Sequence, residues 1–363
     1  MKAEWFGKAL EEWYVQNRRD LPWRGLHDPY LIWISETILQ QTRISQGLVR
    51  YLRFTEEFPN VFSLASATED EVLKAWEGLG YYSRARNLHA AAKSIVRSGH
   101  FPNTYEGVRA LKGVGDYTAA AICSFAYGMP IATVDGNAYR VLSRVFGIGT
   151  PIDTTAGKHQ FNELADTLLD RERPADYNQA LMDFGALQCT PVSPQCNSCP
   201  LRAECTAHRS NSTDLFPVKS KKTEQKHRFL NYIFVVQGKS LLIHRRPKGD
   251  IWTGLYEPYL IENETGEREI CPTSSFIEQC MQQGAILKAL EQDVKHVLTH
   301  RVIHANFYLL HIPQNISPHT LTPPDDYRFV PEEELSQYAF PVLVKKSKFP
   351  PLSVRKERSK SKL

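Results

Sequence analysis

The stretch LKGVGDYTAAAI, residues 111–122, places Gly113 and Gly115 immediately ahead of a run of small residues. Two glycines so spaced allow a tight turn. The helix start behind them offers free N–H groups and partial positive charge to an anion. Taken alone, Gly-x-Gly is more often a plain turn, so its surroundings carry the reading. From the N-terminus to about Cys205, apolar residues recur at three and four positions, with breaks at Gly and Pro. This pattern predicts an all-α domain with the glycine turn between two of its helices.

Upstream, LIWISETILQQTR, residues 31–43, follows a helix-start signal: Asp28 can cap and Pro29 suits the first helical position. Glu36 has Ile32, Trp33, Leu39 and Gln40 at three and four residues, so it sits on the apolar face. Glutamate is almost never fully buried unless paired or functional. A carboxyl so placed should have a raised pKa. Downstream, IATVDGNAYRVLSRVFG, residues 131–147, sets Asp135 before a helix running from about Ala138. There it can simply cap, or stay ionised through backbone N–H groups and the helix dipole. Two carboxylates pushed apart by environment suit acid-assisted cleavage of a glycosidic bond. EGLGYYSRARNLHAAAKSIV, residues 77–96, pairs Tyr81 and Tyr82 with Arg84 and Arg86. This is either a core aromatic pair with solvated arginines or a surface for phosphates and an unstacked base.

Four of the seven cysteines, Cys189, Cys196, Cys199 and Cys205, fall within seventeen residues. Without a secretion signal, disulfides are not expected. Four thiolates at this spacing suit either zinc or a 4Fe–4S cluster. Cys123 reads as a packed thiol, and Cys271 and Cys280 carry no role.

At 363 residues, two domains are expected. TAHRSNSTDLFPVKSKKTEQKHR, residues 206–228, has linker composition. Beyond it, NYIFVVQGKSLLIHRR (231–246) reads as a hairpin, TSSFIEQCMQQGAILKAL (273–290) as a helix and VIHANFYLLHI (302–312) as a strand. The expected organisation is a helical domain over 1–210, a linker over 211–228, a smaller α+β domain over 229–345 and a disordered basic tail over 346–363. The net charge of +4 is misleading. Residues 345–363 hold eight Lys or Arg against one Glu, leaving −3 for the rest. No apolar run approaches the roughly 18 residues of a membrane helix, and the first residues carry no signal-peptide core. A cytoplasmic, nucleoid-associated monomer with no membrane contact is the expectation.

Taken together, LPWR (21–24), WISETILQQT (33–42), GLGYYSRARN (78–87), LKGVGDYTA (111–119), VDGNAYRV (134–141), NQALMDFGALQC (178–189) and the cysteine loop resemble the MutY-type adenine DNA glycosylases. These belong to the endonuclease III, or helix-hairpin-helix, superfamily. The likeness is dense over residues 5–210 and looser beyond. It implies a helix-hairpin-helix over about 107–125, with Gly113, Val114 and Gly115 on the DNA backbone. It also implies a 4Fe–4S cluster on Cys189, Cys196, Cys199 and Cys205.

By the same resemblance, Glu36 protonates the leaving adenine and later activates water. Asp135 stabilises or traps the sugar cation, supported by Tyr117 and Asn137. Arg24, Trp23 and Leu39 line the base pocket, and Gln179 reads an edge of the adenine. Gln41 and Tyr81 fill the duplex gap left by base flipping. The glycosylase–lyases of the superfamily carry a lysine where this chain has Tyr117, so a monofunctional enzyme is expected.

The C-terminal half resembles the family's Nudix-like reader of 8-oxoguanine. It contains no Arg-Glu-x2-Glu-Glu metal box, so nucleotide hydrolysis is not expected. The family's Phe-Ser-His reading loop is here Leu298, Thr299 and His300; Thr keeps the hydroxyl donor of Ser, and Leu loses the aromatic ring. The implied substrate is duplex DNA with adenine opposite 8-oxoguanine or guanine. The alternatives are an endonuclease III-like glycosylase/lyase and a non-catalytic iron–sulfur DNA sensor.

Overall fold

The computed structural model describes residues 4–220, 225–263, 274–316 and 321–349. The chain divides into two compact units: residues 1–66 with 87–222, and residues 67–86 with 223–363. Segment 67–86, which the helical periodicity places with the N-terminal half, thus belongs to the unit built from the C-terminal half. Among the described residues no helix is long and apolar enough to cross a membrane.

Chain order in the helical half is α1 (Glu4–Asn17), α2 (Pro29–Leu39), α3 (Ile44–Glu57), α4 (Val61–Ser66), α5 (Glu69–Ala75), α6 (Ser83–Ser98), α7 (Tyr105–Arg109), α8 (Asp116–Tyr127), α9 (Gly136–Phe146), α10 (Thr155–Leu168) and α11 (Pro174–Leu187). Asp28 caps α2, accepting from Tyr30 N at 2.8 Å, with Pro29 in the first turn. Eight of the eleven α2 residues are buried. The helix is therefore enclosed nearly all round, not on the single face its stripe suggests. Phe6, Leu10, Val141, Phe161 and Phe184 of α1, α9, α10 and α11 form a core that reaches Leu201 and Cys205. Gly113 (φ +83°) turns the chain into α8, and a Cβ there would stand 2.6 Å from that of Asn87. Only glycine fits that approach.

The linker is shorter than its composition implies. Phe216 packs on the helical core, Ile152 N donates to Val218 O at 3.0 Å, and Ser220 N donates to Asp153 at 2.9 Å.

The second unit is a six-stranded sheet in the order β4-β5-β1-β3-β2-β6. Its strands are β1 (Lys226–Gln237), β2 (Ser240–Arg245), β3 (Tyr256–Asn263), β4 (Ile286–Val297), β5 (Arg301–Ile312) and β6 (Tyr327–Pro331). β1 and β5 run parallel from Lys226↔Arg301 to Gln237↔Ile312, and the remaining pairs are antiparallel. The stretch read as one helix over 273–290 splits: Ser275–Gln282 is helical, Gly284 (φ +88°) breaks it, and β4 follows. β4 is an edge strand with bulges between Ala289 and Val294. Those bulges and its exposed charges hide the alternation expected of a strand.

Segment 67–86 is fastened to this sheet. Thr68 and Glu71 close a capping box on α5. Tyr256 donates to Asp70 at 2.8 Å, and Arg245 pairs with Glu69 and Asp70 at 2.8 and 2.9 Å. Glu77 accepts from Lys345 at 2.7 Å and from Phe340 N at 3.2 Å. Residues 346–349 extend this core rather than beginning a tail: Phe349 is buried and stacks on Phe234 at 4.2 Å. The remainder of the segment read as a basic tail lies outside the described residues, as does Cys271.

Candidate active site

Glu36 projects from the enclosed α2 and is 5% exposed. Tyr117 of α8 donates to its Oε2 at 2.8 Å. Burial pushes the Glu36 carboxyl up to about 7; the Tyr117 bond and the Arg24 charge oppose this, and Asp135 adds to it. The raised acid expected from sequence is therefore present. Glu36 lines a cavity of about 40 Å³ with Arg19, Trp23, Arg24, Leu39 and Gln179. Trp23 packs edge-on to Tyr51 at 5.0 Å. Tyr14 donates to Gln179 Oε1 at 3.1 Å.

Asp135 is both a cap and a buried acid. Its Oδ1 accepts from Ala138 N at 2.7 Å, closing the start of α9, and its Oδ2 accepts from Asn137 Nδ2 at 2.7 Å. Sequence alone predicts an acid held ionised by the helix start. In the structure burial raises its carboxyl above the ordinary value, while these hydrogen bonds and Arg140 pull the other way. Burial also holds the Tyr117 phenol well above its usual range, reinforced by Glu36 and Asp135. One hydroxyl thus lies within the field of both carboxyls. Asn137 is fixed by Arg140, whose Nη2 donates to its Oδ1 at 2.8 Å. Gly185 of α11 abuts it closely: a Cβ there would stand 2.9 Å from Asn137 O.

Gly113 and Gly115 lie exposed on a groove of about 660 Å³, which Tyr117 and Lys158 also line, while Val114 is buried beneath them. Gln41 is exposed with its backbone in the left-handed region (φ +56°). Tyr81 shares that conformation (φ +46°) and is 46% exposed, whereas Tyr82 is 4% exposed and accepts from Gly78 N. The left-handed region is sterically costly for a residue with a side chain.

In the second unit, Leu298, Thr299 and His300 form the tip between β4 and β5, closed by Leu298 N donating to Arg301 O at 2.8 Å. Leu298 packs on the sheet core, and Thr299 and His300 are exposed. The Thr299 and Tyr81 hydroxyls are hydrogen-bonded. Both line a cleft of about 670 Å³ that also holds Trp252, His296 and Arg301. Arg84 and Arg86 are half-buried rather than solvated. Arg84 lies over the Trp76 and Tyr81 rings at 5.4 and 5.5 Å, and Arg86 donates to Thr253 O at 2.5 Å.

The four clustered cysteines border one hollow together with Arg144 and Gln188. Arg144 is buried and clamps the loop: it donates to Thr190 O at 2.7 Å and Thr213 O at 2.8 Å, and its Nη1 stands 3.4 Å from Cys189 Sγ.

Sequence reasoning missed Arg19 and Asp183. Asp183 is fully buried, yet accepts from Arg19 N at 3.2 Å, from Arg19 Nε at 3.1 Å and Nη2, and from Arg24 Nη2 at 2.8 Å. The signal was its place one helical turn after Gln179, on the same face of α11.

Residues 34–166 match the model of the HhH-GPD superfamily of base excision DNA repair proteins, and residues 231–347 match the NUDIX domain. The chain is 43% identical over 215 residues to the adenine DNA glycosylase of Rattus norvegicus, covering 56% of this chain and 42% of that one. It thus spans about two fifths of that relative's length. It is 35% identical over 255 residues to the adenine DNA glycosylase of Buchnera aphidicola subsp. Baizongia pistaciae, covering 66% and 72%. Among solved structures, a thermostable thymine-DNA glycosylase superposes with a TM-score of 0.54 at 31% identity, over 58% of this chain and 97% of that one. A trapped endonuclease III–DNA covalent intermediate superposes at 0.50 with 20% identity, over 58% and 99%, a likeness of fold alone. With a helical unit shaped like these glycosylases, a C-terminal NUDIX unit and an adenine DNA glycosylase relative covered over 72% of its length, the chain belongs to the MutY-type adenine DNA glycosylases.

Proposed function

We propose that the protein is a monofunctional base-excision-repair glycosylase, acting as a monomer on duplex DNA, that hydrolyses adenine mispaired with 8-oxoguanine or guanine. The observation that carries this reading is the buried Glu36 carboxyl, hydrogen-bonded by Tyr117, with a pKa near neutrality beside a second carboxyl. Glu36 gives its proton to a ring nitrogen of the flipped adenine as the C1′–N9 bond breaks, and that bond's electron pair leaves with the base. Asp135 faces the resulting oxocarbenium ion as carboxylate, or bonds to C1′ until water displaces it. Glu36, now ionised, takes a proton from that water and is restored.

Arg24, Trp23, Leu39 and Gln179 form the base pocket. With Gln179 Oε1 occupied by Tyr14, its amide donor is the end left for the adenine edge. Gln41 and Tyr81 fill the gap in the duplex; exposure favours Tyr81 over Tyr82. Leu298, Thr299 and His300 read 8-oxoguanine at the cleft, and Gly113, Val114 and Gly115 hold phosphate.

Cys189, Cys196, Cys199 and Cys205 are suited to a 4Fe–4S cluster. They surround a hollow, yet among the described residues no three ligating side chains are placed to share one ion. When bound, the cluster supplies a structural closure of the 189–205 loop.

The test is release of adenine from duplexes holding A opposite 8-oxoguanine or G. Adenine should be freed without a covalent DNA adduct under borohydride, because Tyr117 offers no amine for a Schiff base. A strong adduct would favour a lyase, and no release from either duplex would favour a DNA-binding sensor. Because Glu36 acts protonated, kcat/KM should fall by about tenfold per pH unit above about 7. A profile flat to pH 9 would remove Glu36 as the acid. Gly185→Ala, by displacing Asn137 and hence Asp135, should slow single-turnover release by about 10- to 100-fold and also lower Tm, because the added methyl meets the Asn137 backbone. An unchanged rate would show that Asn137 tolerates the shift.

A further inference from the structure

The Asp183 carboxyl lies in a place with no exposure, one turn along α11 from Gln179. Taking a carboxylate out of water is costly unless opposite charges and hydrogen bonds compensate it. Two arginines converge on it. Arg19 binds through its backbone N–H, Nε and Nη2, and Arg24 through Nη2. Both arginines also line the cavity that Glu36 enters. Arg24 Nε is buried there with no partner among the described residues, a donor left available at the pocket wall.

We propose that Asp183 is a positioning residue that holds Arg19 and Arg24 against the pocket wall and offsets part of their charge, so that Glu36 can keep its proton until a base arrives. This rests on the general-acid reading of Glu36. The groups acting on Glu36 are few: Tyr117 from α8, Asp135 from the start of α9, and Arg24 from the segment before α2, with Arg19 beside them on the cavity. Of these, Arg24 favours the carboxylate. An arginine stripped of its counter-charge favours it more strongly, because nearby opposite charge stabilises the ionised form. Asp183→Asn preserves shape and removes that counter-charge. The expected sign is a lower Glu36 pKa, so that less of the acid is protonated at neutral pH.

The experiment is a ¹³C NMR titration of the full-length protein labelled in its glutamate carboxyls, with Glu36→Gln supplying the resonance assignment. In the wild type the Glu36 midpoint should lie at about 7. In Asp183→Asn it should fall by about one pH unit, and the alkaline limb of kcat/KM should move with it. Arg24→Gln should raise the midpoint. In an Arg24→Gln background the Asp183→Asn shift should shrink, because the effect travels through the guanidinium. An unchanged midpoint in folded Asp183→Asn would overturn the proposal. Should that variant fail to fold, an unmoved midpoint in Arg24→Gln would overturn it equally. The titration needs no substrate, so absent adenine release with a shifted midpoint would defeat the functional reading and leave the role of Asp183 standing.

Discussion

Glu36→Gln is expected to slow single-turnover release of adenine by about 10²- to 10⁴-fold while leaving DNA binding within a few-fold of wild type. Glutamine fills the same volume and can still accept from Tyr117, so the enclosure of α2 is kept. What disappears is the transferable proton, and with it the base that later activates water. The size of the effect follows from burial. The site holds the acid near neutrality at about 7, whereas an exposed glutamate near 4.3 would be almost wholly ionised at that pH. Rapid-quench release from an A:8-oxoguanine duplex, alongside gel-shift affinity, reads the two quantities separately. Equal release by the variant and the wild type would remove Glu36 from the chemistry. Parallel losses of binding and rate would make it a recognition residue instead.

Glu257→Ala should destabilise the sheet unit by about 3–5 kcal/mol. Glu257 on β3 is fully enclosed, with Arg246 Nη1 at 2.6 Å and His244 Nε2 at 2.9 Å. Arg246 is itself buried and also reaches Asp250 at 2.6 Å and Ile251 O at 3.0 Å. Asp250 gathers Arg228 and Arg301 as well, and although burial opposes it, Arg228, the Ile251 N–H and Arg246 hold its carboxyl well below the usual range. Truncation leaves a guanidinium and an imidazole facing a hole without their carboxylate. Hydrogen exchange of the β1, β3 and β5 amides in full-length protein should lose protection in step, and amides of α9 and α11 should not. A loss below about 1 kcal/mol would mean that water enters and solvates Arg246.

Local chemistry was the legible part of this chain. The Asp28–Pro29 start of α2, the apolar neighbours of Glu36, the glycine turn before α8 and the position of Asp135 at a helix start depend on residues within one turn of each other. Period and capping report such neighbours directly. Three features escaped that reading. Asp183 meets Arg19 and Arg24 across about 160 residues, and no window spans them. Segment 67–86 has a helical pattern, yet its partners Tyr256, Arg245 and Lys345 come from the other half of the sequence. β4 alternates poorly because its bulges shift the register and its outward charges protect an edge. Asp135 shows a subtler limit: the cap was visible, but desolvation depends on what covers the cap.

The grouping of residues 67–86 with 223–363 gives the polypeptide three crossings between its units, at 66/67, 86/87 and 222/223. A single cut therefore cannot yield two complete parts. An N-terminal fragment ending near 222 would still carry α5, but Leu73 would lose Gly254, Glu77 would lose Lys345, and Tyr81 would lose Thr299. The exposed tyrosine would then hang from an unsupported strap. Fragments of this protein are not interchangeable modules, and a truncated half does not report what that half does in the whole chain.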